Sequence, residues 1–283
     1  MSKVVKHILA RVKELPAVPG VVHQLLAMLG DPNFSYKELV RVAQLDPGIT
    51  AHILRVCNSP YYGLKREVTS LEHAMVYLGA DTLIEIILSS HVVKYYQGSQ
   101  EGYRLARGEL WRHSMATALL SKRLAAMTRF ADASTLFTAA LLHDVGKLVL
   151  SEFVGEVFEK IEKLVDQGLS FVEAERKVLG VDHALLGGAV AKSWNFPDAI
   201  VMAIGYHHNP SRAPQHIHLA TMVALSNVIC LGAGAAVGVE GLAVPAAGDW
   251  LKEVGIGQKE VELLTIEVKD IMDQAQELLG MAG

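Results

Sequence analysis

An adjacent histidine and aspartate, His143 and Asp144, lie inside an otherwise apolar run, Ala139–Leu150, with the sequence AALLHDVGKLVL. A carboxylate in an apolar interior is costly unless a cation, a metal ion or hydrogen bonds compensate its charge. A neutral imidazole is the commonest side-chain ligand for metals. The pair therefore indicates a buried site for a cation, and its chemistry depends on which other side chains reach it.

Three further positions beyond residue 100 offer imidazoles: His113, His183 and the doublet His207-His208. His113 is followed at helical spacing by apolar residues, so we expect its side chain to face the core. A single buried histidine is more often a hydrogen-bonded core residue than a ligand. Histidines at four places, one beside an aspartate and one in a doublet, favour a metal site instead.

The doublet constrains the geometry of such a site. Adjacent helical residues point ~100° apart, so two neighbouring rings can approach one point only where the helix ends. Asn209-Pro210 predicts that end directly after His208. The two rings could then bind separate ions of a two-metal site, or one could bind a metal while the other contacts an anion.

Two charged side chains lie one turn from these histidines. Glu109 precedes His113 by one turn and could add an oxygen ligand, although a solvated ion pair explains it equally well. Lys147 follows the His143-Asp144 pair and could stabilise phosphate charge, whereas the alternative is a surface lysine whose alkyl stem packs on apolar residues. In a catalytic interpretation Asp144 bridges two metals that activate a water for attack on a phosphate ester, and Lys147 assists.

The type of ligand restricts the metal. Imidazole and carboxylate ligands without thiolates favour Fe or Mn, with Zn, Co or Ni as alternatives, over Mg or Ca. We expect one or two divalent ions. The two cysteines, Cys57 and Cys230, lie far apart in apolar contexts and are interpreted as reduced core residues.

Local signals predict an all-α protein with about a dozen helices. Capping boxes are predicted at Thr69-x-x-Glu72 and Ser170-x-x-Glu173, and Asp46 is predicted to cap a helix that starts at Pro47. Asn58-Ser59-Pro60 is interpreted as a helix cap and turn. The principal helices are predicted at 70–78, ending at Gly79, then 81–96, 103–127, 132–150, 156–167, 170–180, 183–194, 197–207, 217–231 and 258 to the C-terminus.

Composition argues against nucleic-acid and membrane partners. The 283 residues carry a formal net charge of −4 without a basic stripe of the kind that binds phosphate backbones. The N-terminal MSKVVKHILARVKELP is too regularly charged for a secretory signal. The uncharged run Leu219–Val239 contains polar and glycine residues and is interpreted as a buried helix and loop. We therefore expect a cytoplasmic protein that neither binds nucleic acid nor enters a membrane.

The ligand series resembles that of a known superfamily. His113, His143-Asp144, His183 and His207-His208 match in order the H…HD…H…HH series of HD-domain phosphohydrolases, particularly the HD-GYP branch that hydrolyses cyclic diguanylate. The segments LPAVPGVVHQLL, LVRVAQLDPGITAHILRVCNSPYYG and VTSLEHAMVYLGADTLIEIIL resemble instead the signatures of the HDOD family, a bacterial signalling module. The HDOD resemblance covers residues 8–212.

That resemblance implies an N-terminal helical subdomain, residues 8–97, packed on an HD-like multi-helix core at 98–212, with 213–283 completing and extending the core. Most HDOD proteins lack the metal ligands and are taken to act by protein interaction. This chain keeps nearly the whole set. It departs from active HD enzymes because Asn227 stands where their final Asp is expected, and because the GYP loop is missing after the doublet.

Two functions follow from these features. The first is a regulatory protein that holds metal at Glu109, His113, His143, Asp144, His183, His207 and His208 and acts mainly through contacts with other signalling proteins. The second is a metal-dependent phosphohydrolase acting on a nucleotide or cyclic dinucleotide, or another phosphate-containing ligand. A third interpretation, a helical interaction protein whose histidines are all core residues, also stays open.

Overall fold

The computed structural model describes residues 3–15, 20–28, 35–44, 47–235 and 248–281, and these form an all-α protein without strands. The fifteen helices of the described residues are α1 Lys3–Val12, α2 Gly20–Met28, α3 Tyr36–Gln44, α4 Pro47–Cys57, α5 Leu71–Tyr96, α6 Glu109–Thr128, α7 Ala133–Leu142, α8 Gly146–Val154, α9 Phe158–Asp166, α10 Phe171–Leu179, α11 His183–Ser193, α12 Asp198–Tyr206, α13 Ile217–Gly232, α14 Gly248–Val254 and α15 Gln258–Met281. The predicted fold class is thus confirmed. The predicted cap at Asp46 lies outside the described residues.

Several helix ends follow the predicted chemistry. The Ser170 side chain accepts from the backbone N–H of Glu173, and the Glu173 carboxylate accepts from that of Ser170, which is the complete capping box at the start of α10. The Asn58 amide donates to the carbonyls of Leu54 and Val68, so it ends α4 and holds the following turn. The N-cap of α5 is Ser70 rather than the predicted Thr69, because the Ser70 hydroxyl accepts from the N–H three residues later.

Two predicted boundaries near the site were wrong, whereas the break at Gly79 was confirmed. Gly79 has a φ of 80° and a ψ of 170°, so helical geometry is interrupted there and α5 consists of two helical segments that meet at a kink. The helix predicted at 103–127 begins only at Glu109, since Arg104 and Gly108 adopt positive φ. The helix predicted at 132–150 is divided by a turn at 143–145, so His143 and Asp144 lie at a helix junction.

The packing of the second half brings the histidine-bearing segments together. α6 packs against α7, α13 and α15, while α11 packs against α12 and α8. α12 also contacts α7 and α13. The junction between α7 and α8 therefore lies among α6, α11 and α12, and every predicted imidazole ligand is carried by or adjoins one of these helices.

The first half covers this assembly from one side. α5 packs against α3, α4 and α7, and α1 packs against α8 and α11. The cysteines are buried and free, and burial raises the pKa of the Cys57 thiol to about 11 and that of Cys230 to about 12. Both therefore fit their interpretation as reduced core residues.

Two helical stretches are long and apolar enough to cross a membrane by length and composition alone, Leu71–Tyr96 and Ala133–Asp166. Of their most apolar windows, 61% and 83% respectively are buried inside the fold. Core helices of soluble proteins show the same property. The described part of the uncharged run beginning at Leu219 forms the buried helix α13, as predicted, and 236–239 lie outside the described residues.

Candidate metal centre

Five histidines and one aspartate gather into two adjoining clusters. In the first, ligand atoms of His113, His143 and Asp144 all lie within 4.8 Å of one another. In the second, the same holds for His183, His207 and His208. Five of the six side chains are buried and only His208 is partly exposed. The structure thus brings together all the predicted ligands except Glu109.

Asp144 connects the two clusters. Its Oδ2 lies 3.4 Å from His143 Nε2 and 3.8 Å from His113 Nε2, while its Oδ1 lies 3.4 Å from His183 Nε2. The oxygens of one carboxylate therefore face imidazoles of both clusters. This is the arrangement in which a single carboxylate can bind one ion or bridge two.

Backbone carbonyls fix the tautomers of three histidines. The Nδ1 atoms of His143 and His207 lie 2.7 Å from the carbonyls of Ala140 and Ile204 respectively, each three residues earlier in the last turn of a helix. His113 Nδ1 lies 3.0 Å from the Ala235 carbonyl. Because a carbonyl can only accept, each Nδ1 carries the proton and each Nε2 keeps its lone pair. The lone pairs of His143 and His207 are then available for a metal, whereas His113 Nε2 lies 3.0 Å from the Asn227 side-chain amide.

His183 is held by a carboxylate that the sequence did not single out. Glu175 Oε2 accepts from His183 Nδ1 at 2.7 Å and from the His183 backbone N–H at 3.0 Å. Tyr103 donates its hydroxyl to Glu175 Oε1 at 2.6 Å. A carboxylate behind a metal-binding imidazole orients the ring and increases its basicity. A signal existed, since Glu175 lies four residues from both Phe171 and Leu179 on the buried face of α10.

Unpartnered atoms at the centre of the site are suited to holding a cation. His143 Nε2, His207 Nε2 and Asp144 Oδ1 are buried without a hydrogen-bond partner. Buried polar atoms are rarely left without a partner, and a metal ion satisfies several of them at once. His208 Nε2 lies 2.9 Å from His183 Nε2 and can donate to it, because Glu175 holds the His183 proton on Nδ1. The donor set therefore fits a divalent transition metal.

The electrostatics prepare these groups to bind a cation. Burial lowers the pKa of His113 to about 3, and burial also lowers the pKa values of His143, His207 and His208, so these rings are neutral near pH 7. Burial alone would raise the pKa of Asp144, but His143, Lys147 and His183 together hold it well below its ordinary value. Neutral imidazoles around an ionised carboxylate are the protonation states that metal binding requires.

Lys147 belongs to this site and does not reach the surface. It is 1% exposed, and its Nζ donates to Asp144 Oδ2 at 2.8 Å. The surface-lysine alternative was therefore wrong. The buried ammonium compensates the Asp144 charge, which is the cation that the apolar sequence around this aspartate required.

Glu109 lies outside the two histidine clusters, whereas Asn227 lies beside one of their members. The Glu109 carboxylate accepts from the backbone N–H of Ala106 at 2.7 Å, at the start of α6, and belongs to neither cluster. The structure thus assigns it to a helix terminus rather than to the ligand set, because α6 begins at this residue. Asn227, by contrast, is buried beside His113, with its Oδ1 3.0 Å from His113 Nε2.

A groove opens next to His208, with a volume of about 300 Å³. Arg176, Arg212 and Asn209 are among its lining residues. The Arg176 guanidinium is held by Asp182, the N-cap of α11, at 2.5 and 2.8 Å. The one partly exposed histidine of the clusters therefore meets solvent at a groove with two guanidinium groups.

Comparison with known proteins identifies the family. The sequence model of the HDOD domain matches residues 15–210. An uncharacterised protein of Treponema pallidum (strain Nichols) is 23% identical over 241 residues, which cover 80% of this chain but only 44% of that protein. The chain thus spans less than half the length of this curated relative.

Solved structures share the whole fold. The crystal structure of an HDOD domain protein of unknown function from Geobacter sulfurreducens is 28% identical, with a TM-score of 0.80 over 97% of this chain and 99% of that one. A provisionally named signal transduction protein from Marinobacter aquaeolei VT8 is 22% identical, with a TM-score of 0.78 over 95% of this chain and 60% of that one.

A provisionally named phosphohydrolase from Shewanella amazonensis SB2B is 23% identical, with a TM-score of 0.73 over 98% of both chains. At these identities the last two structures establish a common fold and nothing further. The family match, which extends over most of the chain and over both halves of the fold, shows that this protein belongs to the HDOD domain family.

Proposed function

We propose that this protein is a regulatory HDOD protein that binds one or two divalent transition-metal ions around Asp144 and acts mainly through contacts with other signalling proteins in the cytoplasm. The observation that carries the proposal is the set of inward-facing Nε2 atoms whose Nδ1 partners are already fixed. Iron or manganese suits this nitrogen-rich and carboxylate-containing set, with zinc, cobalt or nickel as alternatives.

The ligands of this centre are His113, His143, Asp144, His183, His207 and His208. When bound, the metal would supply positive charge to a carboxylate and would polarise any oxygen ligand that reached it. Tyr103 and Glu175 position His183. Lys147 compensates Asp144 in the absence of metal and would have to share that carboxylate with an ion.

Two features support a regulatory role over rapid turnover. Asn227 supplies a neutral amide beside His113, where a carboxylate would add negative charge to the ligand set. The central ligands His143, Asp144 and His207 are at most 1% exposed, so a substrate would reach the clusters only past His208. A buried metal with a restricted approach is better suited to stabilising one conformation than to processing a phosphate ester.

A metal-dependent phosphohydrolase acting on a nucleotide or cyclic dinucleotide is the second candidate. The groove beside His208 favours it, because Arg176 and Arg212 offer the planar donors that recognise phosphate. In that case Asp144 would hold the metal and Lys147 would stabilise charge at the reacting phosphate. The same groove would also suit a phosphate-containing regulatory ligand that is bound without being cleaved.

Elemental analysis tests the metal centre directly. Protein produced in medium supplemented with iron and manganese, and purified without chelators, is expected to contain about one or two ions per chain. His143→Ala should lose most of that metal, whereas His73→Ala, which removes an exposed imidazole on α5, should keep it. Negligible metal in the unaltered protein would overturn both functions.

Hydrolysis then separates the two candidates. Metal-loaded protein is incubated with nucleoside triphosphates and cyclic diguanylate, and product formation is compared with that of the Asp144→Asn variant. The regulatory proposal expects no cleavage above the variant. Robust cleavage that depends on both metal and Asp144 would replace it by the phosphohydrolase.

A further inference from the structure

A second cavity lies between the two halves of the fold and apart from the metal clusters. Its volume is about 90 Å³, and it is bounded by residues of α4, α5, α6, α7 and α15 and by the turn after α4. A water molecule needs roughly 10–15 Å³ of such space, so the cavity suits about one substituted six-membered ring. None of its lining residues is a member of the two histidine clusters.

Aromatic and aliphatic side chains form most of the walls of this cavity, with His52, Thr82 and Ser89 as uncharged polar members. Trp111, Phe137, Tyr61 and Tyr62 line it, and the two tyrosine rings meet edge to face at a centroid distance of 4.7 Å. Met115, from α6, is also part of the wall and is 1% exposed. Aromatic walls of this kind favour a flat apolar ring over a flexible polar chain.

One wall residue carries an unsatisfied donor. Trp111 is 1% exposed, and its indole Nε1 has no hydrogen-bond partner. A buried indole N–H usually finds an acceptor, because leaving a donor unpaired in a low-dielectric interior costs free energy. An occupant that brought a hydrogen-bond acceptor within reach of this N–H would remove that cost.

The charges at the cavity compensate each other. Glu85 is 6% exposed and accepts from Lys122 Nζ at 2.6 Å, and both residues line the cavity. A cationic occupant would compete with Lys122 for Glu85, and an anionic occupant would be repelled by Glu85. The paired ions therefore favour an uncharged occupant.

We infer that this cavity is a binding site for a small neutral aromatic molecule that offers a hydrogen-bond acceptor to Trp111. Such a ligand would contact the same two helices, α6 and α7, that carry or adjoin residues of the candidate metal centre. Trp111 and Met115 flank His113 on α6, and Phe137 lies on α7, which ends at His143. The inference does not depend on metal binding, because occupancy is measured at Trp111 itself.

Benzamide is a suitable probe, with benzoate and benzylammonium as anionic and cationic analogues of the same ring. The ¹H–¹⁵N spectrum of the full chain should contain three indole signals, since three tryptophans are present. Trp111→Phe identifies the Trp111 signal by its loss. We expect benzamide to move that signal saturably with a Kd on the order of 1 mM, and both charged analogues to bind at least about tenfold more weakly.

Two α5 variants test the location. Ser89→Leu places a larger side chain in the cavity wall and should abolish the response while retaining the Trp111 signal. Ser90→Leu makes the same change at the neighbouring half-buried position, which does not line the cavity, and should respond like the unaltered chain.

Three results would overturn the inference. The first is an absent or non-saturable benzamide shift, or equal shifts of all three indoles. The second is a full response in Ser89→Leu. The third is binding of either charged analogue as tight as that of benzamide, which would exclude a site for a neutral ligand.

Discussion

The close approach of α8 to α11 makes Gly146 a sensitive position. A Cβ atom at residue 146 would lie 1.9 Å from the His183 carbonyl oxygen and 2.6 Å from the Gly187 nitrogen. Both are backbone atoms, so no side chain can turn away to make room. The helices would have to separate by about 1 Å before the first contact reached 3.0 Å.

We expect Gly146→Ala to destabilise the protein by about 3 kcal/mol, at the upper end of the range for overpacked cores. For a chain of this size that corresponds to a fall in Tm of roughly 6–12 °C. Metal binding should weaken as well. Gly146 lies two residues after Asp144, His183 is the first residue of α11, and Asp144 Oδ1 lies only 3.4 Å from His183 Nε2. Calorimetry on chelator-treated protein and elemental analysis of untreated protein measure the two effects.

Gly232→Ala is the matched control. Gly232 ends α13, and a Cβ atom there would meet nothing within 4 Å. Its Tm should therefore stay constant or rise slightly, as expected when alanine replaces glycine at an open helical position. A Gly146→Ala variant that melts within 2 °C of the unaltered chain and keeps its metal would refute the packing argument.

Three further outcomes are expected. Glu175→Gln should weaken metal binding about 10- to 100-fold in a chelator-competition titration, because the carboxylate behind His183 is lost. Glu159→Gln, at an exposed position, is the control. A change below twofold in Glu175→Gln would contradict the positioning role of Glu175. Asn227→Asp should tighten metal binding by about tenfold in the same titration, since it adds a charge beside His113; unchanged or weaker binding would argue against a ligand position there. In metal-free protein the free energy of unfolding should fall as the pH drops from about 7 to 5. Burial lowers the pKa of His113 to about 3 in the folded chain, whereas histidines of the unfolded chain have pKa values near ~6.5. The unfolded chain therefore takes up protons in this pH range that the folded chain does not. Denaturant titrations measure it, and a flat profile would mean that these histidines are protonated in the folded state.

Residue types and spacing were sufficient to predict the helical fold and most of the site. The candidate ligands His113 and His143 each occur in a local pattern, a helical stripe and a conspicuous pair respectively, that can be interpreted without knowing their neighbours. The capping box at Ser170 is equally local, since its two hydrogen bonds join residues three positions apart. Predictions of this kind succeed because the interaction is contained within one turn of the chain.

What the sequence could not predict depends on distant segments. Tyr103 and Glu175 are 72 residues apart, and only the packing of the core makes them partners. The burial of Lys147 depends on the neighbouring helices and not on its own helix. Glu109 shows the opposite error: its spacing from His113 was right for a shared helical face, but α6 begins at Glu109, so its carboxylate is used at the helix terminus.

The collection of ligands from separate segments has a consequence for folding. Between His113 and His208 the chain passes through the α7–α8 junction and the start of α11, so the complete ligand set exists only after four helices have docked. Bringing such distant points together costs loop-closure entropy before any ligand bond can form. An ion that required the complete set would therefore bind late, after the chain has reached its native topology. It would then slow unfolding, so the lifetime of the folded molecule in a cell would follow the supply of that metal.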